Sequence, residues 1–299
     1  TYKGERYMKE QLYLKLRFAG LTTRHLHQLF EFSPSFAYDH ELEQKHTLKA
    51  FLSKSAINRK SIIYDNFLNL ECDYIFKLLK QWHISYVAIE SDAYPKLLRE
   101  IHDPPFILFY KGDLSLMQST RTLAIIGSRQ ATNYTRRTLE TFFPNFKNEN
   151  LIIVSGLAKG ADRIAHAQTL KHNMGAIAVL GFGHKHHYPK ETYAIRTQIE
   201  SKGIVISEYV PTERPRKYHF PERNRLISGL SRGVFITEST VRSGTNITKD
   251  CALDQNREVY VLPGSIYNPM TQGNLVSAQE GAKIVLKAYD ILEDYSQSL

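Results

Sequence analysis

Cysteine is scarce: the 299 residues include two, Cys72 and Cys251, far apart and in no metal-type or redox-type spacing. That excludes a disulfide scaffold and a cysteine-built zinc site, and both are expected as free thiols in a reducing, cytoplasmic setting. No uninterrupted apolar run approaches the roughly 18 residues of a membrane helix. The first residues, Thr1 to Glu10, are polar and charged rather than signal-like. Neither an internal repeat nor a low-complexity tract is found. Two familiar nucleotide signatures are absent as well. The Ser155–Asp162 loop lacks the Gly-Lys-Ser/Thr ending of a P-loop, and Gly127 to Ser155 holds no GxGxxG.

What is present is a core-forming, basic composition. Hydrophobic residues make up 42%, enough for a proper core, and the formal charge is +9. A positive balance favours a polyanionic partner such as nucleic acid over an acidic one. Residues 1–80 read as a small helical accessory domain. Leu12, Leu14, Leu16 and Phe18 lead to a stop at Ala19-Gly20, and Thr22 or Thr23 caps the helix carrying Leu26, Leu29 and Phe30. Residues 81–299 alternate strands and helices. His83–Ile89 and Phe106–Tyr110 are strand candidates around a short helix at Tyr94–Ile101. Helices are expected near 134–147, 159–173, 190–202, 219–229, 245–256 and 272–281. The fold class is therefore α/β, a doubly wound, mostly parallel, Rossmann-like sheet.

Glycine-marked turns follow most strands of this second part. Ala124–Ile126 meets Gly127-Ser128-Arg129, and Ile152–Val154 meets Ser155-Gly156-Leu157-Ala158-Lys159-Gly160-Ala161-Asp162. Ile177–Leu180 meets Gly181-Phe182-Gly183-His184-Lys185. Val234–Thr237 meets Glu238 and then Ser243-Gly244-Thr245, and Val259–Leu262 meets Pro263-Gly264-Ser265. An open parallel sheet gathers such turns at the carboxyl ends of its strands, where its ligands bind. Glycines there admit close backbone approach and helix N-termini favour anions, so the edge reads as a phosphate-binding surface. Arg129 at that edge can meet phosphate bidentately or stack on a base.

Other features weigh less. Asp162 and His166 share a helix face but fit an N-terminal acid with a polar neighbour better than a catalytic pair. His184-Lys185-His186-His187 lacks convergent metal partners and reads as a solvated basic loop whose charge adds to a polyanion site. Gly229-Leu230-Ser231-Arg232-Gly233 matches a nucleophile elbow in letters only, because a helix precedes the serine and a strand follows it. Arg223 and Arg225 near a helix start oppose the macrodipole and call for an anion, either Glu222, Glu238 or a bound phosphate.

Taken in order, Gly127-Ser128-Arg129, Ser155–Asp162, Tyr188-Pro189, Phe220–Ser231, Arg242-Ser243-Gly244-Thr245, Pro263-Gly264-Ser265 and Gly273-Asn274-Leu275 resemble the DprA/Smf family of DNA-processing proteins of bacterial natural transformation. The resemblance covers roughly residues 82–290. It implies an extended Rossmann fold that binds single-stranded DNA, protects incoming strands and loads the RecA recombinase on DNA coated by single-strand-binding protein, as a homodimer and without cofactor or catalysis. It implies that Arg129 and Lys190 line the DNA pocket. Lys159, Arg223, Arg225 and Arg242 join them on charge and position, with Gly127, Ser128, Gly156, Gly160, Lys185, Ser243 and Gly244 from the turns. The helical part would resemble a sterile-alpha-motif-like domain. The sequence departs from the family at His184–His187, where many members carry a Gly-Leu-Asp-like stretch. It also ends soon after Ala282, as expected of a two-domain Firmicute-type member without a C-terminal winged helix. The competing readings are a phosphoribohydrolase-like nucleotide enzyme using Glu238 and Ser243-Gly244-Thr245, and a RecA-binding scaffold that does not touch DNA.

Overall fold

The computed structural model describes residues 2–296. Five helices come first: α1 (Tyr2–Ala19), α2 (Thr23–Phe32), α3 (Glu41–Lys54), α4 (Lys60–Asn69) and α5 (Cys72–Gln81). The Thr22 hydroxyl caps α2 by accepting from the His25 N–H. Leu12, Leu16, Leu26, Leu29, Leu48 and Phe67 close a helical core. The other face of α1, with Tyr13 and Leu14, packs with Ile75 and Leu79 of α5 onto Ala88, Ile107 and Phe109 of the first two strands.

Those strands are β1 (Ser85–Ala88) and β2 (Ile107–Gly112), either side of the short α6 (Lys96–Arg99). There follow β3 (Thr122–Ile126), α7 (Asn133–Asn148), β4 (Ile152–Ser155), α8 (Ala161–Lys171), β5 (Ala176–Val179), α9 (Tyr193–Lys202) and β6 (Ile204–Ser207). Then come α10 (His219–Gly229), β7 (Gly233–Ile236), α11 (Gly244–Asp254), β8 (Glu258–Val261), α12 (Pro269–Gln279), β9 (Lys283–Ile284) and α13 (Tyr289–Ser296). The sheet order is β1-β2-β6-β5-β4-β3-β7-β8-β9. Every pairing from β6 to β9 is parallel, while β2 runs antiparallel to both β1 and β6. The α/β, Rossmann-like class expected from the sequence is the fold observed. β6 and β9 complete the sheet beyond the strands the glycine turns pointed to.

The pleat explains why the middle of a central strand such as β3 is apolar on both faces. Leu123 and Ile125 face one layer with α7 and α13, through Leu139, Phe142, Phe143, Phe146 and Ile291. Ala124 and Ile126 face the other, with Leu226 and Ile227 of α10 and Ala252 of α11. Successive side chains point to opposite faces, so a strand covered by helices on both sides has no polar face to show.

From β3 the chain winds outward through β4, β5 and β6, then returns to place β7 on the far side of β3. The reversal between β3 and β7 is the topological switch point, where open α/β sheets bind ligands. Asn274 of α12 ties the strand ends together beside it. Its amide donates to the carbonyls of Ile236 (3.3 Å), Thr237 (3.0 Å) and Leu262 (3.0 Å), and its oxygen accepts from Ser239 Oγ (2.8 Å). Asn274→Ala strands these groups without water and is expected to cost about 3 kcal/mol. A denaturant midpoint equal to that of the parent would refute this.

Candidate nucleic-acid interface

A cavity of about 520 Å³ opens at the switch point, walled by the turn after β3, the start of α10 and the segment from Thr240 to Thr248 after β7. The β3 turn is fixed from below. Ser128 N–H donates to the Glu238 carbonyl (2.7 Å), and the Ser128 carbonyl accepts from the Ala161 N–H (3.1 Å). A Cβ on Gly127 would meet Thr237 Oγ1 at 2.6 Å and the Ala161 Cβ at 2.8 Å. Gly160 has φ +72 and lies against the backbone of Ser128 and Arg129, where a Cβ would come within 2.6 Å of the Arg129 carbonyl carbon. Only glycine fits both places.

This clamped turn presents Arg129, exposed and in no ion pair among the described residues, over the Phe220 ring at 5.9 Å. Arg242, likewise exposed and in no ion pair among the described residues, lines the same cavity beside Ser243 and Gly244 at the start of α11. The Ser243 hydroxyl caps that helix by accepting from the Thr245 N–H (3.2 Å). A Cβ on Gly244 would meet nothing, so the backbone there is open to a ligand. Two exposed guanidiniums thus line one cleft that has a helix N-terminus in its wall, which is a geometry for phosphate.

Gly127, Ser128, Arg129, Arg223, Arg242, Ser243 and Gly244 all line this cavity. Arg223, however, is buried structure. Its Nη1 donates to the Gly156 carbonyl (2.8 Å) and to the Val179 carbonyl, beside the buried Asp162. Gly156, Lys159 and Gly160 are not brought into the cleft as anion ligands. The N–H groups of Gly156 and Ala158 already donate to Asp162 (3.1 and 3.3 Å), and Lys159 Nζ pairs with Glu191 (2.5 Å). Asp162 is therefore a loop brace rather than half of an acid/base pair with His166.

Arg225 is turned away from the cavity. It pairs with Glu208 and Asp103, each at 2.8 Å, and Glu208 also accepts from Thr23 Oγ1 of α2 (2.7 Å). These carboxylates, not Glu222 or Glu238, supply the anion that its place near a helix start requires. Glu238 is fully buried and accepts from Thr132 N–H, Thr132 Oγ1 and Thr135 Oγ1 (2.8, 2.8 and 2.7 Å), fixing the start of α7. It does not face the cleft in the way a hydrolytic role would require. Lys190 is exposed at the far side of Tyr188-Pro189, and Tyr188 lies 5.8 Å from Phe220. Phe220 is the residue sequence reasoning undervalued. Its signal was an aromatic beside the proline of a helix start. Among the described residues no group of His, Cys, Asp or Glu is arranged to hold a metal ion.

The loop His184–His187 is less solvated than expected. His184 is buried and donates from Nε2 to the Phe109 carbonyl (3.1 Å), while the carbonyls of His184 and His186 accept from the buried Arg196. Burial first, and Arg196 second, hold its imidazole down at about 3, so it adds no charge near neutrality. Lys185 remains exposed, over Trp82 at 4.4 Å.

Fold and cleft together describe a Rossmann-like protein with a cationic cavity at its switch point. The sequence model of DNA recombination-mediator protein A matches residues 85–296. The DNA processing protein DprA of Streptococcus pneumoniae is 35% identical over 281 residues, covering 94% of this chain and 96% of the relative. DprA of Bacillus subtilis is 39% identical over 211 residues, covering 71% of each. The S. pneumoniae DprA crystal structure superposes with a TM-score of 0.82 at 34% identity, over 95% of this chain and 97% of that one. Helicobacter pylori DNA processing protein A, solved for its unique single-stranded DNA binding mode, gives 0.64 at 26% identity, over 72% and 97%. The chain therefore belongs to the DNA recombination-mediator protein A family, the DprA/Smf family that its motifs resemble.

The depressed His184 has a consequence for stability. Between an ordinary value of 6.5 and about 3, the unfolded chain takes up a proton that the folded one refuses. Acidification through that window therefore destabilises the fold. His184→Gln keeps a donor for Phe109 and removes this titration. The loss of stability from about pH 7 to about pH 5 is expected to shrink by about 2 kcal/mol in the variant, read from denaturant unfolding at both pH values. Identical losses would show that the imidazole is not held neutral.

Proposed function

We propose that this chain binds single-stranded DNA in the switch-point cavity and acts, without catalysing a reaction, as a recombination mediator in natural transformation. The observation that carries the reading is the pair of exposed arginines, Arg129 and Arg242, in no ion pair among the described residues, that line one cleft with Phe220 and the start of α11. Phosphates suit the guanidiniums, and a base can stack on Phe220 and its neighbour Tyr188. Such contacts are strongly salt-dependent and weakly sequence-selective. Kinship with the S. pneumoniae and B. subtilis DNA processing proteins supports a role in DNA processing. A cytoplasmic setting, protection of incoming strands and delivery of RecA to DNA coated by single-strand-binding protein belong to the same proposal. The full helix complement of the described residues includes none long and apolar enough to cross a membrane.

An apolar face supports the homodimer. Val241, Ile266, Leu275, Val276 and Ile284 surround a shallow groove of about 580 Å³ beside the edge strand β9. Exposed apolar clusters of this kind mark protein contacts. Ile284 is 48% exposed, so a charge there is tolerated by the monomer fold. Ile284→Asp is expected to convert a dimer to a monomer in sedimentation equilibrium with an unchanged circular-dichroism melt. A wild type that is itself monomeric at high concentration would remove the homodimer.

The DNA reading is tested by fluorescence anisotropy of an unstructured labelled oligonucleotide, single- and double-stranded, over a salt series. Wild type is expected to prefer the single strand. Arg129→Glu should lose roughly 2 kcal/mol, about thirtyfold in affinity, because a charge-assisted contact becomes a repulsion. Wild-type affinity in a folded Arg129→Glu protein would sink the site assignment. Retention of RecA loading after DNA binding is lost would point to a scaffold instead.

A further inference from the structure

The sheet edge carries a second cationic surface that the cavity does not include. The connection from β6 to α10 presents Arg214 and Arg216 to solvent, and Arg24 of α2 stands exposed beside it, within electrostatic reach of Glu222. None of the three forms an ion pair with a described residue. Unpaired like charges on neighbouring elements repel, so this arrangement is held by its scaffold rather than by its own contacts.

That scaffold is rigid. Gly183 N–H donates to the Glu213 carbonyl (2.8 Å) and Lys185 N–H to the Pro211 carbonyl (2.9 Å). His186 Nε2 donates to the Thr212 carbonyl (2.9 Å), and the Arg216 carbonyl accepts from the His219 N–H (3.1 Å). Both acids of this connection are turned inward: Glu208 is buried against Arg225 and Thr23, and Glu213 faces Arg17 and His219, with burial raising its carboxyl. The loop thus hides its negative charge and displays its positive ones.

The surface is also continuous with the cavity. Phe220 lines the cavity, Tyr188 packs 5.8 Å from Phe220, and Tyr218 packs 4.7 Å from the buried His219. Tyr188 and Tyr218 are about half exposed, at 49% and 55%. Aromatic faces spaced between cations are how proteins hold a single strand without reading its sequence.

We propose that the β6–α10 loop and helix α2 form a phosphate-binding extension of the cavity, which holds a single strand as it leaves past Tyr188 and Tyr218. The helical layer thereby contributes a DNA contact of its own through Arg24. This rests on the cavity being the single-strand site, and the test separates the two.

The probe is labelled oligothymidylate in two lengths, roughly six nucleotides to fill the cavity alone and roughly twenty to run beyond it. The variant is the full chain carrying R24E, R214E and R216E, all at exposed positions, with an unchanged melt as the folding control. R24E alone reports the contribution of the helical layer. The triple variant should bind the short probe as wild type does. It should bind the long probe about tenfold or more weakly at low salt, with a salt slope shallower by roughly 2, as for three phosphate contacts to a single strand. Unchanged affinity and slope for the long probe would overturn the extension, as would an equal loss on both lengths. Wild type that binds neither probe would bring down the cavity reading itself, and the extension with it.

Discussion

The cleft depends on one close approach of backbone to backbone. The loop after β4 and the turn after β3 touch at Gly160 and Gly127, with no room for a Cβ at either. That contact sets the height and direction of Arg129. Around it the usual logic of an anion loop is inverted. Asp162, not a ligand, takes the amides of Gly156 and Ala158, and Arg223 takes the carbonyls behind them. The protein spends one buried acid and one buried base to make a stiff floor, and keeps its free cations, Arg129 and Arg242, for the rim. Each of the two is satisfied by backbone groups, which fixes the loop without exposing a charge.

A second polar network joins the helical layer to the sheet. Arg17 of α1 donates to the Glu208 carbonyl (2.6 Å), and Thr23 and Arg225 both donate to the Glu208 carboxylate. With Tyr13 and Leu14 packed on β2, the layer is seated by apolar burial and oriented by these bonds. Arg24 follows Thr23 directly, so the residue that pins α2 sets where its exposed neighbour stands.

Much of this was legible in the sequence. Strands buried on both faces show as short runs of Val and Ile, and glycine turns mark the ends that gather at the ligand edge. β6 has the same run, Ile204-Val205-Ile206, but Glu208 and Pro211 follow it instead of a glycine turn, and β9 is two residues long. The separation of Arg223 from Arg225 was available in principle, since residues two apart on a helix do not share a face. One therefore braces the sheet edge and the other meets Glu208. The burial of His184 was not available. Its acceptor, Phe109, lies 75 positions away, on a strand whose antiparallel insertion beside β6 no local pattern encodes. Glu238 was visible as a strand-end acid, but its role in seating α7 depends on Thr132 and Thr135, brought to it by the fold.

The position of β7 has a bearing on how the molecule comes into being. One wall of the cleft follows β3 and another follows β7, and roughly a third of the chain separates them in sequence. Ribosomes deliver the amino-terminal portion first, and contacts distant in sequence close late. The sheet can assemble outward from β3 to β6 while its ligand edge is still half built. Arg242 and the start of α11 arrive only after the chain doubles back. A nascent molecule therefore carries part of its sheet before it carries any complete grip, and nucleic acid near the site of translation meets no complete cleft until most of the polypeptide has emerged.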